Sequence, residues 1–113
     1  FVAGDPAYVE SMLLEILSQI PSEFALGQNY PNPFNPITRL DYLLPRRSDV
    51  LIRVYNMLGQ EIITLLKQEQ PYGKYSVSWN GLDKSGQQVA SGVYFTELRA
   101  GSIRKTRKML LLK

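Results

Sequence analysis

The seven residues Asn80-Gly81-Leu82-Asp83-Lys84-Ser85-Gly86 gather the densest set of groups in this chain that could do chemistry. Asn80 and Asp83 offer oxygens to a hard cation. An aspartate-rich calcium loop needs more such oxygens at alternate positions and ends on a bidentate glutamate, which this stretch lacks. Lys84-Ser85 lacks the Gly-x-x-x-x-Gly lead that cradles phosphate. A plain turn accounts for the stretch. The wider inventory is equally lean: histidine and cysteine are both absent. That removes the commonest general base, the commonest transition-metal ligand, the thiolate nucleophile and every disulfide. No Gly-x-Ser-x-Gly elbow occurs, and nothing singles out a carboxylate pair among the 10 acidic residues. The expectation is a non-enzyme with no catalytic residue, no metal and no cofactor.

Two other stretches stand out for recognition rather than catalysis. In Asn29-Tyr30-Pro31-Asn32-Pro33-Phe34-Asn35-Pro36, three prolines fix φ, remove three donors and bias their predecessors to extended geometry. Asn32 and Asn35 can close local Asx-type turns. The product is a stiff loop that sets the directions of Tyr30 and Phe34, or equally an ordered lead-in that docks both rings on the end of a domain. The second stretch is the C-terminal end. Arg99, Arg104, Lys105, Arg107, Lys108 and Lys113 occur there without an acid, whereas the first 98 residues carry an excess of acids. A basic end on an acidic body suits an acidic partner, or simply a solvated strand face. No nucleic-acid recognition motif accompanies it, so nucleic acid is not an expected partner.

The elements that must position these segments are short strands. Ile37–Leu44 reads as a strand stopped by Pro45. Val50, Ile52 and Val54 alternate with Leu51, Arg53 and Tyr55. Gly59 then separates that strand from Glu61–Leu66, as a hairpin turn with positive φ requires. Tyr75, Val77 and Trp79 alternate with serines, a one-face-buried pattern. Asn80-Gly81 and Ser85-Gly86 mark turns, Val93–Leu98 is the next strand, and Ala100-Gly101-Ser102 turns into Ile103–Leu112. In that last strand Met109 and Leu111 share parity with Lys105 and Arg107, so either a bulge or a change of face is expected. The pattern predicts an all-β fold, an antiparallel β-sandwich of about seven strands. Its expected core is Val50, Ile52, Val54, Tyr75, Val77, Trp79, Tyr94, Leu98 and Met109, centred on Trp79.

Residues 1–23 read differently. Asp5 and Pro6 suit a helix start, Pro21 stops it, and Val9, Met12, Leu13, Ile16, Leu17 and Ile20 paint one apolar stripe. Such a stripe requires a partner: the rest of the chain, a second copy, or a preceding domain. Phe1–Asp5 lacks the basic opening and apolar stretch of a secretory signal, and the expectation is a piece of a longer protein.

From Gln28 through Pro36 the chain resembles the opening of the C-terminal sorting domain of the type IX secretion system. The resemblance spans residues 24–113. It continues through Ile37-Thr38 to Leu44-Pro45, Val50 to Gly59, Gly73-Lys74-Tyr75, Trp79-Asn80-Gly81, Gly86, Ala90-Ser91-Gly92-Val93-Tyr94-Phe95, Lys108-Met109 and Lys113. The same sandwich is similar to the immunoglobulin-like part of flagellar hook-capping proteins. The resemblance implies an immunoglobulin-like domain over 24–113 that targets an upstream, covalently linked cargo to the outer-membrane secretion machinery. A sortase-like peptidase is a further implied partner. The implied route runs through the periplasm to the cell surface or the medium. The sorting-signal candidates it implies are Pro31, Asn32, Pro33, Phe34, Asn35 and Pro36, with Gly59, Gly92, Tyr94, Lys108 and Lys113. Asn80 stands where the family more often has aspartate. The alternative is an accessory module for carbohydrate binding or for filament and hook-cap-type assembly, with the helix of residues 6–20 as a self-association face.

Overall fold

Leu40, Tyr42 and Leu44 point one way along their strand while Arg39 and Asp41 point the other, and that alternation is what builds the sandwich. A computed structural model describes residues 23–113. The helix expected over residues 6–20, and its self-association face, lie outside these residues. Seven strands follow in order: β1 (Ala25–Leu26), β2 (Thr38–Leu44), β3 (Ser48–Asn56), β4 (Glu61–Gln70), β5 (Gly73–Trp79), β6 (Gly92–Ala100) and β7 (Ile103–Leu111). They form two antiparallel sheets, ordered β1-β2-β5 and β4-β3-β6-β7. The chain changes sheet between β2 and β3, between β4 and β5, and between β5 and β6. The described residues are all-β, as the periodicity predicts.

The core lies between the two inner faces. Seven of the nine expected core residues are buried: Val50, Ile52, Val54, Trp79, Tyr94, Leu98 and Met109. Tyr75 and Val77 are only half-buried, because β5 is the margin of its sheet and pairs with β2 alone. The alternation on β2 buries Leu40, Tyr42 and Leu44 as well, and Phe24, Leu26, Phe34, Val89, Ala100 and Leu111 complete the packing. Each large side chain so buried is worth about 1.5–3 kcal/mol. Trp79 is central: Phe34 lies 5.6 Å from it at 55°, and Tyr94 lies 5.2 Å away, edge-on. The indole N–H is satisfied by the Leu82 carbonyl at 2.9 Å.

Two expectations about register resolve differently. β7 carries no bulge, since its pairing with β6 runs unbroken from Gly92↔Leu111 to Ala100↔Ile103. Instead its face changes along its length: Lys105 and Arg107 are exposed and Met109 and Leu111 are buried. Arg107 makes the transition, donating from Nε to the Leu26 carbonyl at 2.7 Å and so linking β7 to β1 of the other sheet. The bulges lie between β3 and β4, where the register skips Ile62 and Leu65. Each is one of an adjacent apolar pair, Ile62-Ile63 or Leu65-Leu66, which strict alternation cannot place on one face.

A candidate recognition surface where the proline loop meets the last strand

The proline loop and the basic end are joined in the fold by bonds between residues 76 to 80 apart in the chain. Phe34 donates its N–H to the Leu110 carbonyl at 3.0 Å and accepts from the Leu112 N–H at 3.0 Å, a parallel bridge to Leu111. Asn32 Oδ1 accepts from the Leu110 N–H at 3.1 Å, and Gln28 Nε2 donates to the Lys108 carbonyl at 2.7 Å. The far edge of β7 is thereby paired over its last residues, which removes part of an open strand edge. The Tyr30-Pro31, Asn32-Pro33 and Asn35-Pro36 peptide bonds are all cis.

The loop is fixed from beneath as well. Asn29 is buried, and its Nδ2 donates to Thr38 Oγ1 at 3.0 Å and to the Pro31 carbonyl at 3.1 Å. Thr38 Oγ1 donates to the same carbonyl at 2.8 Å. The buried asparagine is thus Asn29, and Asn32 makes a long-range bond rather than the local turn expected of it. Pro36 packs against the Asn80-Gly81 turn. A Cβ on Gly81, which has φ of +74°, would stand 3.3 Å from the Pro36 carbonyl oxygen. The two aromatic residues of the loop part company. Phe34 is 2% exposed against Trp79, whereas Tyr30 is 81% exposed and is held by its backbone, through a two-way bridge to Arg39.

The other candidates fall around this junction. Gly92 pairs with Leu111 and Tyr94 with Met109. Tyr94 Oη donates to the Ala90 carbonyl at 2.6 Å, and burial pushes its pKa upward. Lys113 donates its backbone N–H to Ser91 Oγ at 3.1 Å, and both Lys108 and Lys113 are exposed. Pro31, Asn32, Pro33, Asn35 and Pro36 are all exposed. Gly59 lies in the β3–β4 turn at the same end of the sandwich, two strands across the sheet from β7. Its φ of +78° closes a turn in which Asn56 Oδ1 accepts from the N–H groups of Leu58 and Gln60, both at 3.0 Å.

Sequence periodicity missed one property of this end of the sandwich. Thr38↔Trp79, Asn56↔Tyr94 and Gly92↔Leu111 place the starts and ends of five strands there. Five large apolar side chains are exposed at this same end: Tyr30, Ile37, Met57, Leu58 and Leu112. The signal lay in apolar residues at turn positions, such as Met57-Leu58, where no core demands them.

The Asn80–Gly86 stretch is a closed turn. Asp83 Oδ1 accepts from Ser85 Oγ at 2.7 Å, Ser85 N at 2.9 Å and Gln87 N at 3.0 Å. The Ser85 side-chain bond, with the Gln87 N–H next, holds the Asp83 carboxyl below its ordinary range. That Oδ1 is thus engaged by the turn itself.

A family model described as the FlgD Ig-like domain matches residues 37–102. Three solved structures are similar in fold. Dimeric latent PorU from Porphyromonas gingivalis aligns at a TM-score of 0.59 and 15% identity, over 81% of this chain and 10% of that one. PorZ from the same organism, described as an essential bacterial surface component of the type-IX secretion system, aligns at 0.53 and 15% identity, over 98% of this chain and 13% of that one. FlgD from P. aeruginosa aligns at 0.56 and 21% identity, over 81% of this chain and 71% of that one. This chain is therefore a small part of the length of PorU and PorZ, and at these identities the likeness is one of fold. No curated protein matches it in sequence. With more than half its residues matched to that family model, the chain belongs to the FlgD Ig-like domain family.

Proposed function

We propose that residues 24–113 are a non-catalytic C-terminal sorting domain that presents an upstream cargo to the outer-membrane type IX secretion apparatus. The observation that carries this reading is the junction itself. The proline loop and the last strand, which hold most of the candidate sorting residues, are hydrogen-bonded into one surface. The exposed apolar side chains at that end supply what a protein partner would bury. The fold likeness to PorZ, a type IX component by its description, is consistent with this reading. A folded label also suits the rigidity of the loop, since a surface held in advance loses little entropy on recognition. A fusion of residues 22–113 behind a periplasmic reporter tests it. Export in a strain that carries the apparatus, and retention in one lacking the outer-membrane translocon, are expected; equal export from both would count against the proposal.

The match to the FlgD Ig-like domain favours one second reading, an assembly module of the hook-cap type. It requires self-association or a filament partner. Sedimentation of the full chain at several concentrations separates the two: a strict monomer argues against assembly.

A further inference from the structure

On the outer face of the four-stranded sheet, three arginines from three strands converge on one carboxylate. Arg53 Nη2 of β3 lies 3.2 Å from Glu97 Oε1, Arg99 Nε of β6 lies 3.8 Å from the same oxygen, and Arg104 Nε of β7 lies 3.7 Å from Oε2. The register sets this up. Arg53 is directly opposite Glu97, and Arg104 is directly opposite Arg99. Three cations on one anion leave a local excess of positive charge. Each guanidinium offers five N–H donors, far more in total than one carboxylate can accept. Arg53 Nε is buried and has no hydrogen-bond partner among the described residues.

The cluster has a covered base and an open top. The Arg53 and Glu97 side chains are 24% and 14% exposed, while those of Arg99 and Arg104 are 46% and 61% exposed. Like charges directly opposite on paired strands are destabilising. The Arg99–Arg104 pair is therefore a standing cost that an external anion would relieve. Beside it lies an open depression of about 600 Å³. Its lining includes Leu51, Lys67 and Arg99, with the acidic Asp49 and Glu69.

We infer that the Arg99–Arg104 pair, seated on Arg53 and Glu97, is a binding site for a phosphate ester. The organic part of the ester lies in the adjoining depression toward Lys67. Paired guanidinium forks match a tetrahedral oxyanion, and a dianion balances the excess charge more fully than a carboxylate would. Leu51 offers apolar surface to a sugar ring or acyl glycerol, and Asp49 and Glu69 can accept from hydroxyls. The site is remote from the proline loop along β6 and β7, so it does not depend on the sorting proposal.

Thermal unfolding of the full chain at constant ionic strength tests the inference. Sodium chloride is the reference, and inorganic phosphate and glucose 6-phosphate are the ligands. Co-sedimentation with phosphatidylcholine vesicles containing phosphatidic acid forms the lipid arm, and the arm that saturates at the lower phosphate concentration identifies the source of the ester. The phosphates are expected to raise the midpoint saturably. In Arg99→Gln/Arg104→Gln the half-saturating concentration should rise at least tenfold, while Arg39→Gln on the other sheet should respond as the parent does. A midpoint that does not distinguish phosphate from chloride, with no vesicle binding, would overturn the inference. So would a double variant that unfolds cooperatively and keeps the parent's response.

Discussion

Asn32 Oδ1 accepts a hydrogen bond from the backbone N–H of Leu110 at 3.1 Å, across 78 residues of sequence. Two residues further along the loop, Phe34 makes both of its backbone bonds to the same strand and sends its ring into the core against Trp79. The loop is thus an added parallel strand segment on the edge of β7, anchored by one aromatic ring.

Phe34→Ala should release that anchor. Removing a buried phenyl ring typically costs about 3–5 kcal/mol. The denaturant midpoint should fall accordingly, and amide exchange at Leu110 and Leu112 should quicken more than exchange in β3.

Asn32→Ala is the milder test of the same junction. It removes one hydrogen bond at an exposed position, at a cost of about 0.5–1.5 kcal/mol. Amide exchange at Leu110 should rise while that at Leu112, which is bonded to Phe34, changes little.

Tyr42 carries a pH prediction. Burial raises its pKa, and Tyr75 adds to the shift; the phenol donates to Gln70 Oε1 at 2.6 Å. A phenol whose folded pKa is raised contributes stability that is full below its ordinary value of 10.0 and is lost as pH climbs above it. Tyr42→Phe should therefore flatten the alkaline loss of stability in urea unfolding above that pH. At neutral pH it should cost about 1 kcal/mol, because Gln70 is left buried without its donor.

Glu97→Gln should destabilise the outer sheet face, since it leaves Arg53 largely covered beside two other cations. The pairs are partly exposed, so the expected loss is about 1–2 kcal/mol, well below that for a fully buried pair. Added salt should shrink the difference between variant and parent in chemical unfolding, because screening weakens the remaining repulsion.

Much of this was legible in the chain, for physical reasons that differ by element. The alternation around Val50–Tyr55 and Tyr75–Trp79 declared strands because one face of each is buried. Gly59, Gly81, Gly86 and Gly101 declared turns, and all adopt positive φ. The sidedness of β7 was only half legible. Lys105 and Arg107 share parity with Met109, and sequence alone cannot say that these two are exposed, with Arg107 bonded to the Leu26 carbonyl of the opposing sheet, while Met109 is buried. The bulges have their trace in the adjacent apolar pairs Ile62-Ile63 and Leu65-Leu66, which break strict alternation. The junction of Asn32 and Phe34 with Leu110 was out of reach, because parallel pairing over such a separation leaves no periodic trace. Likewise the meeting of Arg53, Arg99 and Arg104 at Glu97 depends on register between three strands.

The sorting proposal is tested most directly by the amount of reporter accessible on intact cells. Two fusions are compared in a strain carrying the apparatus: the parent, and Tyr30→Ser/Lys108→Gln/Lys113→Gln, which changes only exposed side chains at the junction. The variant should unfold at the parent's denaturant midpoint yet export no more reporter than a strain lacking the translocon. Full export from that variant, or export that ignores the translocon, would contradict the account.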